Sequence, residues 1–194
     1  MSQTVGNIDF ISQDASMPLQ KAAIKNSVDD LEKNKEQMLK PVTCATDLPP
    51  EISRSALMFA SLYDSADAVQ YLLESEKLYR CQSNHVSAIH IAARYNSIRA
   101  LELLMQTDEV HQTVLSGENA LMIAAEYGNL GCVKLLWPLL AGEKNNGKTA
   151  LMAAAEKGQL QVLQWIIDND TERREIGQVD ASGRNAFELS LHAN

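Results

Sequence analysis

Aromatic residues make up only 5% of this 194-residue chain. A core so poor in rings has to be assembled from aliphatic side chains and alanine. Proline (5) and glycine (9) are scarce as well, which excludes collagen-like and low-complexity chains. Basic charge is short: 17 Lys and Arg stand against 25 Asp and Glu, a formal net charge of −8. General affinity for nucleic acid needs clustered cations to displace counterions, so no nucleic-acid partner is expected. No apolar run approaches the roughly 20 residues that cross a bilayer, and residues 1–16 lack the basic start and apolar stretch of a secretion signal. Three cysteines, Cys44, Cys81 and Cys132, form no close pairs, which suits a reducing compartment. The expectation is an intracellular protein, cytoplasmic or nuclear, with no membrane partner.

What the chain does have is self-similarity. Ala-Leu-Met-Ile-Ala-Ala-Glu-Tyr-Gly at residues 120–128 returns as Ala-Leu-Met-Ala-Ala-Ala-Glu-Lys-Gly at residues 150–158. Weaker copies start at Ala56, Ala88 and Ala186, so the anchoring alanines lie 32, 32, 30 and 36 residues apart. A period near 33 predicts stacked helical units. Immediately before the anchors stand Ser55, Ser87, Asn119, Thr149 and Asn185, whose side-chain oxygens can cap free helix N–H groups. Eight residues after the anchors come Asp64, Asn96, Gly128, Gly158 and Asn194, types that tolerate a left-handed backbone. Each marks the stop of a helix about nine residues long. Ser65, Ser97, Asn129 and, more weakly, Gln159 then read as caps of a second helix, with apolar side chains at helical spacing behind them. The pairs Ala60-Ser61, Ala92-Ala93, Ala124-Ala125 and Ala154-Ala155 are small where the next unit's backbone must approach.

With these residues in view the chain resembles the ankyrin-repeat family. The resemblance rests on residues 116–130 and 147–160 (units three and four, counting from Ala56) and on Asp-Ala-Ser-Gly-Arg-Asn-Ala at 180–186. It covers roughly residues 51–194. Ala stands where the family usually has Pro, and Met58, Met122 and Met152 stand where it has His, kept here as His90. The resemblance implies an all-α helical solenoid of helix-turn-helix repeats that binds another protein through a concave face. The expected organisation is a flexible segment at 1–16, a degenerate capping repeat at 17–40 and a Pro-containing linker at 41–54. An array of three to four full repeats plus a C-terminal half repeat follows at 55–194. In the cap, Pro18 starts one helix; Ser27 opens a second that carries Asp29 and Asp30 early, Lys35 and Lys40 late, and stops at Pro41. The closing half repeat either caps the array by itself or is covered by a partner or further chain. The chain is accordingly expected to be a monomer or to self-associate weakly through that end.

For binding, three units carry Tyr63, Tyr95 and Tyr127 just before the left-handed stop, and the fourth carries Lys157. Arg94, Glu126 and Glu156 run beside them, while Arg54 and Lys148 stand at hairpin tips. Stacking would align the tyrosines as a strip. Tyrosine brings rigid contact area with a hydroxyl at low entropic cost, but it also packs well between neighbouring units. Both readings stay open at this point. Leu135, Leu136, Trp137, Leu139 and Leu140 read as core, with Pro138 ending or bending their helix.

Chemistry is hard to find. No phosphate-cradling glycine loop, carboxylate pair or metal-spaced cysteine and histidine set is present. Cys81, His85 and His90 come nearest to a zinc site, but three ligands at irregular spacing fall short of one. The expectation is a non-catalytic interaction module or adaptor with no cofactor and no metal. A regulatory, targeting or inhibitory part of a larger signalling enzyme assembly is the alternative.

Overall fold

The computed structural model describes residues 18–35, 55–76 and 84–191. Five of its helices begin at the anchoring alanines. These are α3 (Ala56–Leu62), α5 (Ala88–Tyr95), α7 (Ala120–Glu126), α9 (Ala150–Glu156) and α11 (Ala186–Ser190). Second helices follow as α4 (Ala66–Glu76), α6 (Ile98–Leu104), α8 (Leu130–Leu140) and α10 (Leu160–Asn169). A further pair, α1 (Pro18–Ile24) and α2 (Val28–Lys33), precedes them. Each first helix packs on the first helices before and after it, and the second helices do the same behind them. Among the described residues there is no strand, only isolated bridges at two hairpin tips. The result is an all-α solenoid.

The helices start where they do because of their caps. Ser55, Asn119, Thr149 and Asn185 each accept the N–H three residues on, from Met58, Met122, Met152 and Glu188. Ser87 differs. Its own N–H donates to His90 Nδ1 at 3.1 Å, and the His90 Nε2 side lies 3.1 Å from the Gln112 carbonyl. His90 therefore ties its helix start to the loop before the next unit, a link that methionine at 58, 122 and 152 cannot make. Four stops fall where expected, with Asp64, Asn96, Gly128 and Gly158 at φ of 53°, 60°, 74° and 64°, and the fifth, Asn194, lies outside the described residues. Asn26 holds the same place in the first pair, with φ 54°. The helices between are shorter than nine residues, mostly seven, because the last turn is spent on the transition to the left-handed residue. Helices this short cannot persist alone, since nucleation is costly. Their small pairs are buried to 1% or less, which lets adjacent backbones close up.

Three expectations are corrected. Ser65, Ser97, Asn129 and Gln159 do not cap their own helices with their side chains. They reach back one unit instead: Ser65 Oγ donates to the Ile24 carbonyl at 3.1 Å and Ser97 Oγ to that of Leu62 at 3.4 Å. Asn129 Nδ2 donates to the carbonyls of Ala93 and Arg94 at 2.7 and 2.8 Å, and Gln159 Nε2 to that of Glu126 at 2.9 Å. The second correction is α2, whose described helix ends at Lys33, with the Asn34 Nδ2 group donating to the Asp30 carbonyl at 2.7 Å. Lys40 and Pro41 lie outside the described residues, as do 1–16 and the linker. Third, α8 runs through Pro138 to Leu140. Proline two residues from the end removes a single N–H, and Leu136, Trp137 and Leu140 are buried while Leu139 is exposed.

A buried carboxylate completes the units, and nothing in the sequence reading foresaw it. Glu76 Oε2 accepts the Leu57 N–H at 2.8 Å. Glu175 accepts the Gly142 N–H at 2.8 Å and the Leu151 N–H at 2.9 Å. Both sit at 1% exposure, and Glu109 at the corresponding place is fully buried. Glu76 and Glu175 each bring a negative group to the positive start of their unit's first helix, where N–H groups lack partners.

Candidate protein-binding surface

The hairpin tips are joined in series, which fixes one edge of the molecule. Leu115 N–H donates to the Asn84 carbonyl at 2.7 Å, Asn145 Nδ2 to that of Ser116 at 2.5 Å, and Ala181 N–H to that of Asn146 at 3.0 Å. Within unit four's tip, Asn145 and Lys148 exchange both backbone hydrogen bonds around Asn146 (φ 49°) and Gly147 (φ 80°). Two successive left-handed residues make the tight hairpin turn that Asn-Gly favours. At the last tip Asp180 Oδ1 accepts the N–H groups of Ser182 and Arg184, at 2.8 and 2.9 Å. Those donors, with the Arg184 guanidinium 2.8 Å from Oδ2, hold the Asp180 carboxyl below its ordinary pKa.

Beside the tips, the left-handed stops place Tyr63, Tyr95 and Tyr127 at equivalent positions in successive units. Tyr63 and Tyr95 are half-buried and pack against the core, whereas Tyr127 is 41% exposed. Burial, and then the nearby Tyr95, raises the Tyr63 hydroxyl above its usual pKa. Arg94 bridges the other two, its guanidinium carbon 4.8 Å from the Tyr127 ring centre and 5.7 Å from that of Tyr95. Such cation–π contacts are worth about 0.5–1 kcal/mol each at exposed sites. The strip continues through Glu126, 3.2 Å from Lys157 Nζ. That hydrogen bond lifts the Lys157 pKa. Lys148 Nζ pairs with Glu156 on the same side. Eight of the nine candidate residues thus stand in described segments of units one to four, and the ninth, Arg54, lies outside them.

Between tips and strip lies a groove of about 490 Å³ spanning units two and three. Val86, Ile91, Val114 and Ile123 form its apolar floor, and Leu115 and Tyr127 stand as walls. Leu115 is 65% exposed and adds apolar surface to the groove wall beside Tyr127. Arg94, Glu118 and Glu126 rim the groove. The floor residues went unnoticed in the sequence because periodicity marks them as core, and they are core that also faces outward. Ile91 and Ile123 hold the same repeat place, which is the signal that could have found them. A second depression of about 580 Å³ lies on the opposite face between α4 and α6. Its polar walls already serve the fold: Asp67 accepts from Asn26 at 2.6 Å, and Tyr71 is bonded to Glu32.

Candidate chemistry is not assembled. His90 is 2% exposed with both ring nitrogens engaged, and His85 lies on the surface. Cys81 falls outside the described residues. Among the described residues no three His, Cys, Asp or Glu side chains group closely enough to hold a metal ion. Burial pushes the Cys132 thiol up to about 12, with the Asp64 carboxylate adding to the shift. A thiol held that high supplies almost no nucleophilic thiolate at neutral pH. No described helix is long and apolar enough to cross a membrane.

No curated protein matches the sequence. The family model of ankyrin repeats (3 copies) does, over residues 19–114 and 89–180. The match starts within α1, so it takes in the N-terminal pair as well as units one to four. Capped helix pairs, left-handed stops and serially joined tips are what such repeats require, and the chain belongs to the ankyrin-repeat family, whose members generally serve protein–protein interaction.

Proposed function

We propose that this chain is a non-catalytic adaptor that holds another protein along the strip from Tyr63 to Lys157 and against the neighbouring hairpin tips. The observation that carries this reading is the groove at units two and three. It offers an apolar floor of Val86, Ile91, Val114 and Ile123 beside Tyr127 and Arg94, and tyrosine and arginine are enriched at the energetic centres of protein interfaces. Tyr127 with Arg94 supplies a rigid aromatic and a cation locked against it, so little side-chain freedom is left to lose on binding. Residues 55–194 form the array in this reading and 17–40 its N-terminal cap. The free, buried Cys132 suits a cytoplasmic or nuclear setting.

The test is capture from native cell extract with the full chain, followed by titration of the captured protein. A triple Tyr63→Ala, Tyr95→Ala, Tyr127→Ala variant with unchanged helical content should bind at least about tenfold more weakly, and Leu115→Ala about threefold. Unchanged affinity for both variants sinks the assignment of this face.

A further inference from the structure

The sequence holds a single Asn-Gly pair, Asn146-Gly147, at the tip of unit four. An asparagine side chain is chemically open to attack by the peptide nitrogen that follows it. That nitrogen bonds to the amide carbon Cγ and closes a succinimide ring. The C–Nδ2 bond breaks, and the nitrogen's proton passes through solvent to the departing ammonia. Water then opens the ring at either carbonyl and leaves aspartate or isoaspartate. The balance is one water consumed and one ammonia released, with no oxidant or cofactor. Glycine exposes the attacking nitrogen because no Cβ shields it.

Three asparagines precede glycine or serine, and the structure separates them. At Asn26 the Ser27 N–H donates to the Ala22 carbonyl, and at Asn96 the Ser97 N–H donates to that of Ala92, each at 3.0 Å. Their side chains are held as well. Asn26 bonds to Asp67 and accepts the Ala68 N–H, and Asn96 Oδ1 lies 3.6 Å from the Cys132 thiol. Asn146 is exposed, and among the described residues neither its side-chain amide nor the Gly147 N–H has a hydrogen-bond partner. Nucleophile and target are both unengaged at this pair. Opening the turn for ring closure costs hydrogen bonds at the hairpin tips and leaves the helix stack in place.

The closed turn has no room for a longer backbone. The Asn146 carbonyl accepts the Ala181 N–H at 3.0 Å, which joins this tip to the next. Gly147, at φ 80°, lies so near the next tip that a Cβ there would stand 2.8 Å from the Val179 carbonyl oxygen. An isoaspartyl linkage runs the main chain through the former side chain, adding one carbon between the Asn146 Cα and the Gly147 nitrogen. The old carbonyl carbon becomes a free carboxylate outside the main chain, and Gly147 is driven toward Val179. We propose that Asn146 is a site of spontaneous deamidation, with water as its only co-reactant, and that the isoaspartyl product unlinks the tip of unit four from the tip that follows. The aspartyl product adds the same charge but keeps the link, since its backbone is unchanged. The proposal stands on this turn alone and does not rest on the partner-binding strip.

The test ages the folded full chain in mildly alkaline buffer and cuts it after glutamate, which isolates residues 144–156. Fragment masses place a gain of about 1 Da at Asn146. It accumulates at least about tenfold faster there than at Asn26 or Asn96. Asn146→Gln, whose attack would need a larger ring, shows no such gain. The ordering among the three asparagines is read on the wild type, so it holds even if that variant folds poorly. Amide hydrogen exchange then compares the separated products. The Ala181 N–H exchanges at least about tenfold faster in the isoaspartyl form, while Asn146→Asp exchanges as the wild type does. Conversion at Asn26 or Asn96 as fast as at Asn146 overturns the site. An Ala181 N–H that exchanges alike in the wild type and the isoaspartyl form overturns the unlinking. So does equally fast exchange in Asn146→Asp, which would assign the effect to charge and not to the added carbon.

Discussion

The joints between units are made differently in the two halves of the array. In the first half the left-handed residue carries an acceptor that reaches forward. Asn26 Oδ1 takes the Ala68 N–H and Asp64 Oδ1 takes the Ala100 N–H, each at 2.8 Å. These N–H groups open α4 and α6, so each second helix is capped from the preceding unit. In the second half the left-handed residues are Gly128 and Gly158, which have nothing to reach with. There only the backward link remains, as Gln159 donates to the Glu126 carbonyl, and its amide fills the space a Gly128 side chain would need. Asn96 stands between the two regimes, and its oxygen lies 3.6 Å from the Cys132 thiol. Every joint carries a backward link, from Ser65, Ser97, Asn129 or Gln159, and the first two add a forward acceptor from the left-handed residue. The forward acceptor is dispensable, and the residue that reaches back changes among serine, asparagine and glutamine while the period holds.

Predictions follow from breaking each kind of link. The largest effect is expected at Glu175, which clamps the Gly142 N–H after α8 and the Leu151 N–H at the start of unit four. Glu175→Ala strands the buried Leu151 donor and frees the part-buried Gly142 donor, and should cost about 3 kcal/mol in urea unfolding. Glu143→Ala, removing an exposed carboxylate bonded to the Asn119 side chain, should cost under about 1 kcal/mol. Equal losses would show that burial does not set the strength of the clamp. Next, Asp64→Ala removes a forward acceptor and leaves a non-glycine residue at φ 53°, for a loss of about 2 kcal/mol. If Asp64→Gly restores none of that loss, the backbone contribution is wrong.

The middle joint is sensitive to alkali. The Cys132 pKa is raised on folding, so the native state holds that proton more tightly than the unfolded chain does. Its contribution is complete below about 9 and is lost as pH rises toward 12, at about 1.4 kcal/mol per unit. Unfolding midpoints of the wild type and Cys132→Ala should converge across that window, and parallel curves would refute the account. The smallest change is Gln159→Ala, about 0.5–1 kcal/mol, because its link is half-exposed. A loss as large as that of Asp64→Ala would mean the two halves are not joined differently at all.

Much of the fold was legible because its signals are local. A capping residue followed by alanine, and a left-handed residue eight positions on, act within one turn of the backbone, so Ser55, Asn119 and Gly128 identify themselves by type. The joints were misread for the opposite reason. Ser97 and Asn129 look like caps, but their hydrogen-bond partners lie 35 or 36 residues back, in carbonyls that only stacking brings near. Glu76 and Glu175 had no signal at all, since their N–H partners are 19 and 24 residues away and surface glutamates are common. On the candidate surface the tyrosine spacing was plain, and so was Arg94 beside it. The groove floor was not, because a hydrophobic pattern does not tell an enclosed side chain from one that also faces a cleft.

The sequence by itself determined the period, the helix starts and the left-handed stops, since each depends on what one residue's own side chain and backbone can do. Only the tertiary structure decided which polar groups cross the joints and how far each tyrosine is covered. Those outcomes depend on what lies alongside a residue, and a solenoid gives equivalent residues different neighbours wherever its stack changes.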